Sequence, residues 1–161
     1  MWSLSAFVSR KIDYSNSLFY GLKACTLNKL QRVQNYAARI VSSSSSSATT
    51  KSLLENLHWL DIKQRTSFKI LLLVHKFFMG TAPHYFTDYL LVRCSEKRIL
   101  HTKFMQTSSG QRTFEFAACR LWNRLAVKIR MLNSSDTFKN NIKTVLFRND
   151  NNILNAVTLY N

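Results

Sequence analysis

The sequence predicts a mostly α-helical, single-domain irregular bundle of about five to seven helices, with little or no sheet. Three observations predict it. Only 3 Gly and 1 Pro occur in 161 residues, so few sharp turns are encoded and a many-stranded sandwich is disfavoured. Apolar residues make up 46%, enough for one core at this length. Apolar residues also recur at helical spacing in several separate windows.

The elements follow in order. A helix is expected over 2–11, then a polar turn near Tyr14–Ser17 and a short apolar piece ending at Gly21. A helix over 27–41 is clear, with Leu30, Val33, Ala37 and Ile40 as one apolar stripe and Thr26 as its N-cap. The six-serine tract Ser42–Ser47 and the residues to position 50 read as a linker, because serine competes with the backbone for hydrogen bonds and buries nothing. A short helix over 50–57 carries Leu53, Leu54 and Leu57.

The strongest element comes next. Asp61 and Gln64 have the spacing of a capping box, and the helix they open runs through Met79. Gly80 stands where a left-handed residue ends a helix, and Pro83 prevents continuation. Ile70, Leu71, Val74, Phe77 and Phe78 form its apolar face, and Arg65, Lys69 and Lys76 share a second azimuth. A short helix is expected over 84–91. Residues 92–111 are basic and irregular, with room for extended structure around Ile99, Phe104 and Met105. A helix over 112–125, capped by Thr113, has Phe114, Ala117, Ala118, Leu121, Trp122 and Leu125 on one face. The last helix, 137–147, opens at Ser135 or Asp136 and buries Phe138, Ile142, Val145 and Leu146. The domain thus spans 1–148, and the Asn-rich tail 149–161 is expected to be disordered.

Charge points to a partner. There are 23 Lys plus Arg against 8 acids, a formal net charge of +15. Residues 92–161 carry twelve of the cations and four of the acids. Such an imbalance implies a polyanionic partner, RNA, DNA or an anionic membrane surface; the helices carry core-like rather than interfacial faces, so RNA or DNA, bound non-specifically through electrostatics, is the expected one. The residues chosen for that contact are Arg112, Arg120, Arg124, Lys128 and Arg130, then Arg32, Arg39, Arg65 and Lys69. Tyr36 beside Arg39 and Trp59 near Lys63 are candidates for base stacking, although aromatics at helical spacing usually serve the core. Trp122, on an apolar face, is read as core.

Enzymatic chemistry is not expected. Polymerases and nucleases hold divalent metals between neighbouring carboxylates. Here Asp13, Glu55, Asp61, Asp88, Glu96, Glu115, Asp136 and Asp150 are scattered, no two within five residues. No phosphate-binding loop, nucleophile elbow or His-Glu-x-x-His motif occurs. Cys25, Cys94 and Cys119 are odd in number and far apart, and His58, His75, His84 and His101 show no ligand spacing with them, so neither metal nor cofactor is expected. The longest aliphatic run, Ile70–Val74, is too short for a membrane span, which needs roughly 20 apolar residues. The expected location is intracellular, nucleus or cytoplasm.

Several blocks also match one family pattern in order and spacing. AFVSRKIDYSNSLFYGL (6–22) contains an Arg-x-Asp-Tyr-x-Asn-Ser-Leu-like core, and LNKLQRVQNYAARIV (27–41) is similar to a Leu-Gln-x-Val-Gln-Asn-x-Ala-Ala-Arg helix. LHWLDIKQRTSFKILLLVHKFFMGTAPHYFTDYL (57–90) carries a Leu-His-Trp-Leu start and a Gly-x-Ala-Pro stop. GQRTFEFAACRLWNRLAVKIR (110–130) and SSDTFKNNIKTVLF (134–147) complete the series. Together they resemble the region just downstream of the polymerase core in LINE-type, jockey-like non-LTR retrotransposon reverse transcriptases. Asp61, Cys119 and Ala126 stand where that pattern has proline, and Ser15 where it often has cysteine.

The family's Ala-Asp-Asp catalytic half has no counterpart among these residues. The resemblance therefore implies a truncated, non-catalytic fragment of an RNA-directed DNA polymerase, supporting RNA or DNA binding beside an absent polymerase half. The alternative is a non-functional remnant, or a helical protein-interaction module, that self-associates through exposed apolar faces.

Overall fold

The structure, a computed structural model, describes residues 10–14, 16–44 and 49–148. Helices dominate it, as the apolar spacing predicts. Most of the expected helix over 2–11, part of the serine tract and the tail 149–161 lie outside the described residues; residues 10–13 are helical. A 3-10 turn, Asn16–Phe19, leads to Gly21, whose φ of 74° reverses the chain.

Helix α1 (Ala24–Ser42) begins earlier than expected. The carbonyl of Lys23 accepts its first bonds, and Thr26 lies inside the helix rather than capping it. Its buried face also differs from the predicted stripe. Leu27, Gln34, Ala37 and Ala38 point inward, while Val33 and Ile40 are 54% and 62% exposed. On the inward face Gln34 Nε2 donates to the Leu60 carbonyl at 2.8 Å, so the buried amide is satisfied. Two alanines beside it permit close approach, so the helix turns its amide face to the core. Ser42 still belongs to α1 and Thr50 already begins α2 (Thr50–Asn56), so the linker is shorter than the composition suggests.

Helix α3 (Ile62–Phe78) is the central element. Asp61 Oδ1 accepts from the Gln64 N–H at 2.7 Å and Gln64 Oε1 accepts from the Asp61 N–H at 2.9 Å, completing the predicted capping box. Burial pushes the Asp61 carboxyl above its ordinary value, although the helix-start hydrogen bonds act the other way. α3 packs against α5 (Phe114–Asn123), α7 (Ser135–Phe147) and the Asn16–Phe19 turn. Between these lie α4 (Phe86–Tyr89), a two-stranded antiparallel hairpin of β1 (Val92–Cys94) and β2 (Ile99–Leu100), and α6 (Val127–Arg130).

The main core joins Ile70, Leu71 and Val74 of α3 to Leu121 and Trp122 of α5 and Phe138, Ile142 and Leu146 of α7. Trp122 stacks on Phe78 at 5.2 Å and meets Phe138 at 5.7 Å. Each such aromatic pair adds about 0.5–1.5 kcal/mol beyond its buried area. A smaller cluster, Ile12, Leu27 and Ile62, ties the N-terminal residues to α1 and α3.

Amide side chains fasten the helix junctions. Gln31 Oε1 accepts from the Ile62 N–H at 2.9 Å, answering an otherwise open donor at the start of α3. Gln64 Nε2 donates to the Leu146 carbonyl at 2.8 Å, answering an open acceptor at the end of α7. Asn123 brackets β2, accepting from the Leu100 N–H at 2.9 Å and donating to its carbonyl at 2.8 Å.

Three helix ends use the same closure. At Ser43, His58 and Gly80 the backbone is left-handed, with φ of 49°, 54° and 67°. The next residue's N–H reaches five residues back in each case, from Ser44 to Arg39, Trp59 to Leu54 and Thr81 to Lys76. This is the Schellman arrangement, which ordinarily favours glycine.

Candidate nucleic-acid interface

The nine basic residues selected from the sequence do not share one environment. Arg32, Lys69, Arg112, Arg124 and Lys128 are exposed. Arg112 is also held by packing: a Cβ on Gly21 would meet its Cγ at 2.6 Å, so the arginine stem lies across that glycine. Arg120 is half-buried, its guanidinium 5.6 Å from the Phe116 ring. Arg39 is half-buried, with Nε lacking a partner among the described residues.

Two of the nine are largely buried. Arg130 is only 5% exposed, and its Nη1 points at the Arg98 carbonyl, 3.4 Å away. Burial pushes its guanidinium pKa down, as expected for a cation withdrawn from water. At that exposure its side chain offers little surface to a phosphate. Arg65 has a 13% exposed side chain, pairs with Asp13 at 2.8 Å and donates from Nε to the Leu60 carbonyl at 3.1 Å. The expected stripe Arg65–Lys69–Lys76 is thus broken at its first member.

Most carboxylates are already engaged. Asp13 serves Arg65, Glu115 serves Lys103 at 2.9 Å, Asp136 serves Lys139 at 2.9 Å, and Glu55 lies 4.0 Å from Lys51. Among the described residues no group of three or more His, Cys, Asp or Glu is placed to hold a metal ion, and no helix is long and apolar enough to cross a membrane.

Two clefts flank Trp59. One, of about 360 Å³, runs between α1, α2 and the start of α3; its charged walls balance, Lys51 and Lys63 against Glu55 and Asp61. The other, of about 370 Å³, is unbalanced: Arg65, Lys69 and Lys143 face it with Asp13 as the one carboxylate among its lining residues. Trp59, His58, Leu60, Phe68 and Leu72 supply its apolar and aromatic wall. The Schellman turn at His58 is what carries Trp59 to this place.

In the sequence Trp59 lies near Lys63, whereas Lys143 is 84 residues away. The packing of α7 on α3 brings Lys143 to Lys69 and Trp59, which no local pattern announces. Tyr36, the other stacking candidate, is 64% exposed on α1 beside Val33 and Ile40.

No protein-family model, curated protein or solved structure matches the chain.

Proposed function

We propose that this chain is a non-catalytic basic helical module that binds RNA or DNA through lysine and arginine, as the C-terminal region of a LINE-type reverse transcriptase would beside its polymerase core. It would act in the nucleus or cytoplasm. One observation carries the reading. Arg32, Lys69, Arg112, Lys128 and Lys143 are exposed and have no carboxylate partner among the described residues, whereas most acids are consumed in pairs or caps. Cations left in water with no internal counter-charge gain most from a polyanion, which releases its own condensed ions on binding.

The test is filter binding of a labelled RNA and a labelled DNA across salt. Affinity should fall log-linearly, by about 0.7–0.9 in slope for each phosphate neutralised. Affinity that does not change with salt overturns the reading.

A second reading is favoured by the face Val33, Tyr36 and Ile40, exposed by 54%, 64% and 62% on α1. Spaced three and four residues apart, they form an uncovered apolar strip of the kind that packs on another protein surface. In that reading the chain is a protein-interaction module whose association is insensitive to salt. Sedimentation of wild type and Tyr36→Lys at low and high salt separates the two.

A further inference from the structure

We propose that the cationic cleft beside Trp59 seats one nucleotide of a single strand, its base against the indole and its flanking phosphates on Lys69 and Lys143. This rests on the nucleic-acid reading above and gives it a location. Single strands are held where a positive groove follows the backbone and an aromatic side chain offers a stacking surface. Of the two described clefts, only this one combines those features. Its neighbour shares Trp59 but has balanced charge, and Gln31 in its wall is already engaged by Ile62.

In the cationic cleft the one lining carboxylate, Asp13, is held by Arg65 at 2.8 Å and by Asn16 Nδ2 at 3.3 Å. The uncompensated charge therefore belongs to Lys69 and Lys143. Both are exposed at the rim, on two different helices, while Trp59 is half-buried and fixed by the backbone bond from its N–H to Leu54 at 2.8 Å. A volume of about 370 Å³ lies at the small end of ligand sites, which run roughly 300–1,000 Å³. That suits one nucleotide and is too small to take in a base pair. A duplex also keeps its bases stacked on each other, leaving none for the indole.

The test uses the full chain and 12-nucleotide single strands, oligo-U and oligo-dT, against abasic strands of the same length, followed by fluorescence anisotropy. The base-bearing strand of at least one chemistry should bind about ten-fold tighter than its abasic counterpart, the size of one aromatic–base stack. Trp59→Ala should erase that ratio, and Trp59→Phe should restore most of it. Lys69→Gln with Lys143→Gln should weaken both kinds of strand and keep the ratio. The abasic comparison is made on unmodified protein, so a variant that fails to fold does not remove the test.

Equal binding of base-bearing and abasic strands in both chemistries, with normal salt dependence, overturns the cleft proposal and leaves the broader reading standing. Binding that ignores salt overturns both. Uridine monophosphate displacing the strand at equal concentration assigns the cleft to a free nucleotide and overturns the strand proposal.

Discussion

Arg98 and Arg130 exchange hydrogen bonds head to tail. Arg98 Nη1 donates to the Arg130 carbonyl at 2.8 Å, and Arg130 Nη1 points back at the Arg98 carbonyl, 3.4 Å away. Two cations are thereby held side by side, each facing the other's backbone oxygen. Arg98 also reaches the Leu132 carbonyl at 3.2 Å and Asn133 Oδ1 at 2.7 Å, and Trp122 Nε1 donates to the Arg98 carbonyl at 2.7 Å. The turn between β1 and β2 is thus latched to α6 and to the core tryptophan.

Arg130→Met should therefore act on stability and not on nucleic-acid contact. It removes a 3.4 Å hydrogen bond made by a buried cation, worth about 0.5–1.5 kcal/mol. Urea unfolding should show that loss, while the salt slope of binding stays at the wild-type value. A slope lower by about one would return Arg130 to the phosphate-binding set.

His75 sets an acid limit. The residue is 1% exposed; its ring stacks on Phe138 at 4.2 Å, with Nε2 2.9 Å from the Leu132 carbonyl, which requires the Nε2–H form. Burial pushes its pKa below the ordinary 6.5, Arg98 adds to this, and the Leu132 carbonyl opposes it. Above pH 6.5 the ring is neutral folded and unfolded, so it contributes no pH dependence there. Below that value the unfolded chain takes a proton that the folded chain resists, and stability falls until the folded pKa is passed. The urea midpoint should be lower at pH 5 than at pH 7.5, and His75→Gln should flatten the difference. Asp61 works with the opposite sign and further down, where its raised pKa favours the folded state as pH drops toward 3.8.

His58 occupies the residue of the Schellman turn that Gly80 occupies at the end of α3, with φ of 54° against 67°. A side chain there strains the backbone, so His58→Gly should raise stability by up to about 1 kcal/mol in thermal or urea melts. A loss instead would mean that the imidazole contributes more to the cleft wall than the turn costs.

The three thiols should separate by reactivity. Cys25 is exposed, Cys94 intermediate and Cys119 buried. Burial, reinforced by Glu115, pushes the Cys119 thiol up to about 11, and its Sγ–H points at the His101 carbonyl, 3.2 Å away. At pH 8 a maleimide should label Cys25 first and Cys119 only on unfolding, as read by mass spectrometry of digested protein. Native labelling of Cys119 would show that α5 opens locally.

The helices with local punctuation were legible in the sequence. α3 announces itself through Asp61, Gln64 and Gly80, α5 through Thr113, and α7 through a Phe138–Ile142–Leu146 spacing that the structure buries. What failed was decided at a distance. Val33 and Ile40 look like core beside Leu30, but α1 turns Leu27, Gln34, Ala37 and Ala38 inward, with Gln34 bonded to the Leu60 carbonyl, and leaves both aliphatic side chains exposed. α6 spans four residues, too few for a period, so neither that helix nor the burial of Arg130 could be read. The same holds for the cleft, whose Lys69 and Lys143 meet only because α7 lies on α3.

Gln31, Gln34 and Gln64 have one property in common that the lysines and arginines lack. An amide neither titrates nor draws counter-ions. A chain of net charge +15 experiences a large swing in potential whenever salt changes or a polyanion arrives. Joints made of ion pairs would loosen or tighten with every such swing. Those between α1, α3 and α7 are neutral dipoles at 2.8–2.9 Å, so the scaffold keeps its geometry while the field around it changes.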